Sequence, residues 1–255
     1  MRCIYREKMH KCGNYLEIDI YPVFETAKGR SKRKKPTSEI QKKLNQRNAE
    51  RKLTRLLNTN FTKHDIRFDL TYDEWHLPTS PEDAQREMQN FLRRLKRYRK
   101  NHGLPELKYV AVTEVGKRNA RVHHHIVMSG GVDINTLAEI WGRGYTTAKP
   151  LQFNEYGIVG IAKYLVKEPI LGKRWCASRN LEQPKESQRD GKIPQYQVKE
   201  LHDSGNDNRD YIERLYEGYT LAECKPYYND INGGYYITVL MYKTPSRQSR
   251  KRGQI

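Results

Sequence analysis

The sequence is short of the signals that carry a chain into a membrane or out of a cell. Its first eight residues are charged from the start and hold no apolar run, so no secretory signal is expected. No stretch approaches the roughly 20 apolar residues needed to span a bilayer. Cysteine is scarce: the four residues Cys3, Cys12, Cys176 and Cys224 include no CxxC pair. Reduced thiols are therefore the simplest expectation, and a zinc site from Cys3, His10 and Cys12 is disfavoured. There is no GxxxxGK[ST] loop to cradle a nucleoside triphosphate, so no helicase signature is present. No internal repeat is visible. From these absences a cytoplasmic chain with no membrane partner is expected.

What the sequence has in excess is positive charge. Lys and Arg number 48 against 30 Asp and Glu, a formal net charge of +18 over 255 residues. Such an excess calls for a partner, and nucleic acid is the commonest one. Basic residues cluster in 28–36, 93–100 and 247–252, the last expected to be disordered. Hydrophobic residues make up 36%, which supports one large domain or a domain with extensions.

Periodicity gives an alternation of strands and helices. Residues 13–24, 66–72, 108–114 and 234–242 alternate as strands, with 145–150 as an edge strand. Helices are expected over 37–57, from Pro81 to about Lys100, over 134–141 and over 153–167. Pro81 at the first helical position, with Glu82 and Asp83 in the first turn, suits a helix N-terminus. The first helix carries a partial stripe of Ile40, Leu44, Leu53 and Leu56; its basic face is either solvated or phosphate-contacting. Residues 191–208 are polar and read as a loop.

The most informative stretch is 121–128, Arg-Val-His-His-His-Ile-Val-Met. On a strand, His123 and His125 share one face, while His124 turns with Val122, Ile126 and Met128 toward the core. If the turn is 117–120, Gly116 faces Arg121 and Glu114 lies directly opposite His123, with Cβ atoms about 5 Å apart. A carboxylate and two imidazoles form a three-ligand metal site with open positions. In the helix over 153–167, Ile158, Ile161, Ala162 and Leu165 form the buried stripe, and Gly160, Tyr164 and Lys167 lie on another. Tyrosine ionises only near pH 10, so Tyr164 is a weak nucleophile unless a cation assists it. Lys167 one turn away and a metal-polarised phosphate would supply that assistance.

The segments 68–78 (Phe-Asp-Leu-Thr-Tyr-Asp-Glu-Trp-His-Leu-Pro), Glu114 with His123-His124-His125, and 162–167 (Ala-Lys-Tyr-Leu-Val-Lys) resemble, in order, three motifs of rolling-circle replication initiators of the HUH endonuclease superfamily. The resemblance is nearest to the replication-associated proteins of microvirus-like phages and bacterial mobile elements, and residues 173–180 resemble a segment these proteins carry after the tyrosine helix. It implies an α+β fold, a central antiparallel sheet flanked by helices, as an endonuclease core over 61–175. Residues 1–60 would be a basic N-terminal extension and 176–255 a C-terminal one with a late strand and basic tail. It also implies a divalent ion, Mn2+ or Mg2+, held by Glu114, His123 and His125, with Tyr164 as nucleophile and Lys167 its companion. The implied substrate is single-stranded origin DNA, joined to the tyrosine through a 5′-phosphate. Lys163, Arg121, Lys117 and Arg118 would contact that strand, and a host helicase and polymerase in the bacterial cytoplasm would be further partners. Some relatives carry two tyrosines a helical turn apart; here the earlier position is Gly160, which indicates a single-tyrosine enzyme. A transposase or relaxase, a silent nucleic-acid-binding protein and a nuclease using water share parts of the pattern.

Overall fold

A computed structural model describes residues 3–24, 38–116, 121–166, 173–230 and 232–245. In chain order the elements are β1 (Cys3–Cys12), β2 (Tyr15–Phe24), α1 (Ser38–Asn60), β3 (Ile66–Thr71), α2 (Pro81–Asn101), β4 (Tyr109–Val115), β5 (Val122–Met128), α3 (Ile134–Trp141), β6 (Thr146–Pro150), α4 (Val159–Leu165), β7 (Cys176–Ala177), β8 (Lys185–Asp190), α5 (Gln195–Ser204), α6 (Arg209–Leu215), β9 (Tyr219–Asn229) and β10 (Gly234–Lys243). The class is α+β, with antiparallel sheets and flanking helices as expected. The chain divides into two compact units, 33–184 and a second made of 1–32 with 185–255. This grouping differs from the sequence-based one: α1 belongs with the central unit, and the two termini build a second sheet rather than separate extensions.

The 33–184 unit holds a sheet of order β6-β3-β5-β4-β7, every pairing antiparallel. One face packs Phe68, Leu70, Tyr72 and Ile126 against α2 and α3 through Met88, Phe91, Leu95 and Trp141, all fully buried. Burying each such side chain contributes roughly 1.5–3 kcal/mol. Helix α2 forms as its sequence predicts: the Ser80 side chain accepts from Asp83 N, Pro81 follows it, and Arg99 and Lys100 close the last turn. Helix α3 is capped by Asp133 and ends at Gly142 in the left-handed region. The opposite face packs Val110, Val112 and Val127 against α1 and α4 through Leu53, Leu57, Ile158, Ala162 and Leu165. Leu44, expected in the α1 stripe, is instead exposed, because the buried stripe begins further along the helix. The polar end of this second face is where the candidate site lies.

The unit formed by the termini is a sheet of order β8-β1-β2-β10-β9, also antiparallel throughout. Leu16, Ile18, Ile20, Val239 and Met241 pack against α5 and α6 through Val198, Leu201 and Ile212. Residues 191–208 are therefore not a loop: Val198 and Leu201 are two apolar positions at helical spacing, and the sheet gives them something to cover. All four cysteines are free. No helix among the described residues is long and apolar enough to cross a membrane.

Candidate active site

Strand alternation and a tight hairpin place the first residues of the site. Gly116 N donates to Arg121 O at 2.7 Å, closing the hairpin, and the register then sets Glu114 opposite His123 and Val112 opposite His125. Strand β3 pairs along the other edge of β5, with Asp69 opposite His125 and Thr71 opposite His123. Glu114, His123, His125 and Asp69 thus share one face, the face that α4 covers.

His125 is the hub. Its ring is buried, with Nδ1 2.6 Å from Asp69 Oδ1 and Nε2 2.9 Å from Glu114 Oε1. The Tyr164 hydroxyl lies 3.2 Å from the same Nε2, and the two rings meet edge to face with centroids 4.9 Å apart. Tyr164 reaches this point from α4, whose stripe of Ile158, Ala162 and Leu165 is buried in the core and turns the tyrosine outward at 37% exposed. Arg67 completes the cluster. Its guanidinium carbon stands 4.2 Å from the centre of the Tyr164 ring, and Nε and Nη2 each lie 2.8 Å from Asp69 oxygens. Burial disfavours the charged form of Asp69, but the hydrogen bonds from His125 and Arg67 outweigh it and hold the carboxyl below the usual carboxylate range.

The middle histidine plays a different part. His124 is fully buried on the opposite face, with Tyr72 OH at 2.7 Å from Nε2 and Thr113 Oγ1 at 2.8 Å from Nδ1. Burial, with the neighbouring His125 and His123 adding to it, pushes its pKa down to about 3, so it is a neutral, satisfied core residue. This matches the alternation argument.

The donor set gathers pairwise rather than as a finished cage. Among the described residues, no three His, Cys, Asp or Glu side chains stand grouped as metal ligands. Glu114 and His125 touch, and His123 takes its place opposite Glu114 through the register. Of the expected DNA-contacting residues, Lys163 is exposed beside Tyr164, and Arg121 has its Nη2 3.6 Å from Glu74 Oε1. Lys117, Arg118 and Lys167 lie outside the described residues, as do 28–36 and 247–252. Tyr227 and Tyr228 are exposed and Tyr235 and Tyr236 half-buried, paired across β9 and β10 in the unit built from the termini. Sequence reasoning missed Asp69 and Arg67. Both stand in a strand that it identified, but the pairing of that strand with the histidine strand was not readable. A cleft of about 660 Å3 adjoins the site, lined by Arg67, Lys149, Gln152, Asn154 and Gly160. A Cβ added at Gly160 would meet nothing within 4 Å, so the position one turn before Tyr164 is open space.

Strand β3, the hairpin β4–β5 and helix α4 are the parts that bring these groups together, and they coincide with the stretch recognised by comparison. Residues 66–169 match the model of the replication-associated protein ORF2 family. No curated protein and no solved structure matches the chain. The replication-associated match spans fewer than half of the residues, but it contains Arg67, Asp69, Glu114, His123, His125 and Tyr164. It lies wholly inside the 33–184 unit, which also carries 29 Lys and Arg against 16 Asp and Glu, or +13 of the net +18. The similarity points to a role in DNA replication.

Proposed function

We propose that the chain is a metal-dependent endonuclease that nicks and rejoins single-stranded DNA at a replication origin, with Tyr164 as nucleophile, and so initiates rolling-circle replication. One observation carries this reading: the Tyr164 hydroxyl and the Glu114 carboxylate converge on a single nitrogen, His125 Nε2, at 3.2 and 2.9 Å.

The chemistry of these donors fits a divalent cation. Where His125 donates its Nδ1 hydrogen to Asp69, Nε2 is the nitrogen left to offer a lone pair. That lone pair faces a carboxylate oxygen at 2.9 Å, two acceptors that a cation between them stabilises. Glu114, His125 and His123 would hold it, and Asp69 would orient His125 from behind. Bound there, Mn2+ or Mg2+ would act as a Lewis acid on a non-bridging phosphate oxygen.

The protein's own groups account for the rest. Asp69 fixes the His125 ring in the tautomer that leaves the Nε2 lone pair for the ion, and the phenol proton of the part-exposed Tyr164 passes to solvent. Arg67, over the phenol face, orients the ring and favours negative charge on its oxygen. Tyr164 Oη attacks phosphorus in line; the Tyr164 O–P bond forms and the P–O3′ bond breaks. The departing 3′ oxygen takes up a proton and leaves as a hydroxyl, while the 5′-phosphate stays on the tyrosine. The phosphodiester energy is conserved, so a 3′-hydroxyl reseals the strand by the reverse step. Lys167 would stabilise charge on the phosphate. Lys163, Arg121, Lys117 and Arg118 would hold the strand by counterion release. Unwinding and synthesis fall to a host helicase and polymerase in the bacterial cytoplasm.

The test is an adduct assay on single-stranded oligonucleotides. With Mn2+ the protein should form an SDS-stable complex with DNA, lost with EDTA and lost in Tyr164→Phe. An adduct that persists in Tyr164→Phe refutes the nucleophile. Cleavage without any adduct identifies a nuclease that uses water, and binding without cleavage identifies a silent binding protein. Adducts on transposon ends or transfer origins rather than replication origins identify a transposase or relaxase.

A further inference from the structure

Trp75 is 92% exposed, the most exposed large apolar side chain among the described residues, and Tyr145 follows at 74%. A single exposed aromatic is ordinary. These two differ from that case because the backbone beneath each is fixed and because of where they stand. Trp75 sits in the single helical turn Glu74–His76, which Asp73 caps: its Oδ1 accepts from Trp75 N and His76 N, each at 3.0 Å, and contacts His76 Nδ1 at 2.7 Å. The segment before Tyr145 is clamped onto the same turn. Thr71 donates from N and Oγ1 to Tyr145 O at 2.9 and 3.1 Å, and Asp73 N donates to Arg143 O at 3.0 Å. Gly144 makes the clamp possible. Its φ is +146°, and a Cβ there would lie 2.4 Å from Asp73 N.

The position is equally specific. Thr71 pairs with His123, so the turn carrying Trp75 leaves the sheet at the end where His123 and Glu114 lie. The Glu74 carboxylate, 3.6 Å from Arg121, ties the turn to the residue that enters β5. Two aromatic rings thus project from a braced backbone beside the candidate site, inside the more basic of the two units.

We propose that Trp75 and Tyr145 form a stacking platform for unpaired nucleobases of the strand whose phosphate lies at Tyr164. This deepens the function proposed above and rests on it for the position of the strand. Every base has a π-face, so the platform selects single strands over duplex without selecting sequence, while the basic residues hold the backbone. Both rings stand largely open to solvent, and bases brought to them would cover that apolar surface.

The experiment uses the full chain, in EDTA so that binding is read without cleavage, with a mixed-sequence oligonucleotide as single strand and as duplex. The single strand should quench tryptophan emission and the duplex should not, and Trp75→Phe should remove that quench, since Trp141 is buried and Trp175 is half-buried. Trp75→Ala and Tyr145→Ala should each weaken single-strand binding by about tenfold. The dependence on salt should be unchanged, because no phosphate contact is lost. Both side chains are exposed, so circular dichroism should match wild type. Single abasic positions should include one whose loss costs nothing further in Trp75→Ala. Unaltered affinity and an unaltered quench in the Trp75 variants overturn the platform, whatever the adduct assay shows. Failure of the wild type to bind the single strand overturns it as well. A wild type that is quenched but never forms the Mn2+ adduct keeps the platform and overturns the nuclease. An adduct that forms equally well in Trp75→Ala at limiting DNA does the reverse.

Discussion

Asp69→Asn is the sharpest perturbation of the site, because one carboxylate holds both His125 and Arg67. The change keeps size and shape but replaces an all-acceptor group with one that accepts at one end and donates at the other. Three charge-assisted contacts converge on Asp69: His125 Nδ1 at 2.6 Å, Arg67 Nε at 2.8 Å and Arg67 Nη2 at 2.8 Å. Oδ1 takes both His125 Nδ1 and Arg67 Nε while Oδ2 takes Arg67 Nη2, so asparagine aims its N–H either at Arg67 Nη2 or at His125 Nδ1 and Arg67 Nε together. In the first orientation His125 keeps only a neutral, weaker acceptor; in the second it loses the acceptor that fixes its Nδ1 proton, and the proton moves to Nε2. That nitrogen then has no lone pair for a metal. Loss of an orienting partner of this kind costs roughly 10- to 100-fold in metal affinity or activity. At 1.36 kcal/mol per decade this is about 1.4–2.7 kcal/mol. Mn2+ affinity from titration calorimetry and the single-turnover rate of adduct formation should both fall by that factor. Arg67→Gln is the control: it removes the cation over Tyr164 and leaves the Asp69–His125 contact, so it should slow adduct formation while metal affinity holds. Asp69→Asn within twofold of wild type in both measurements refutes the role given to the Asp69–His125 pair.

Three further outcomes test the surroundings. Tyr72→Phe removes the hydroxyl at His124 Nε2 and leaves a buried ring nitrogen without its 2.7 Å partner; urea denaturation should show a loss of about 1–3 kcal/mol, and a change under about 0.5 kcal/mol would rule out a structural role for that bond. In the unit built from the termini, buried Glu7 has Oε1 2.5 Å from Tyr216 OH and, among the described residues, no hydrogen-bond partner for Oε2; Tyr216→Phe should destabilise by about 1–3 kcal/mol or more, and adding Glu7→Met should recover most of it. Arg6 holds the Asp190 carboxyl below the usual range, mainly through its hydrogen bonds, so the pairing of β8 with β1 gains from Asp190 above the ordinary carboxylate pKa and loses that gain as pH falls through the lowered one. NMR titration should show Asp190 returning toward an ordinary pKa in Arg6→Gln, and an unchanged midpoint would show that the pair does not couple.

The division between what was legible and what was not follows the distance along the chain over which contacts are set. The alternation through His123, His124 and His125 is local, with a period of two, and it separated the site histidines from the core one. The pairing of Glu114 with His123 was legible because a short turn joins the two strands and fixes their register. Asp69 was invisible as a partner of His125 because α2 and β4 lie between them, and only packing of the finished sheet sets that register. The same holds at the termini. Strand β1 places Glu7 and His10 among its buried positions, which breaks the apolar alternation. Strand β8 is exposed at every position and has no apolar face at all. Helix α4 is shorter than expected because Gly157, at φ +75°, ends a turn that bonds back to Asn154 before the helix begins. The consequence for function is specific. Local pattern supplied the groups proposed to act on a phosphate, while the groups that orient them, Asp69 and Arg67, came only with the long-range pairing of β3. Substitution at Glu114 should therefore spare the fold and stop the chemistry, whereas substitutions at Asp69 or at the buried His125, which lose the bond between β3 and β5, should disturb the site's alignment and the pairing of β3 together.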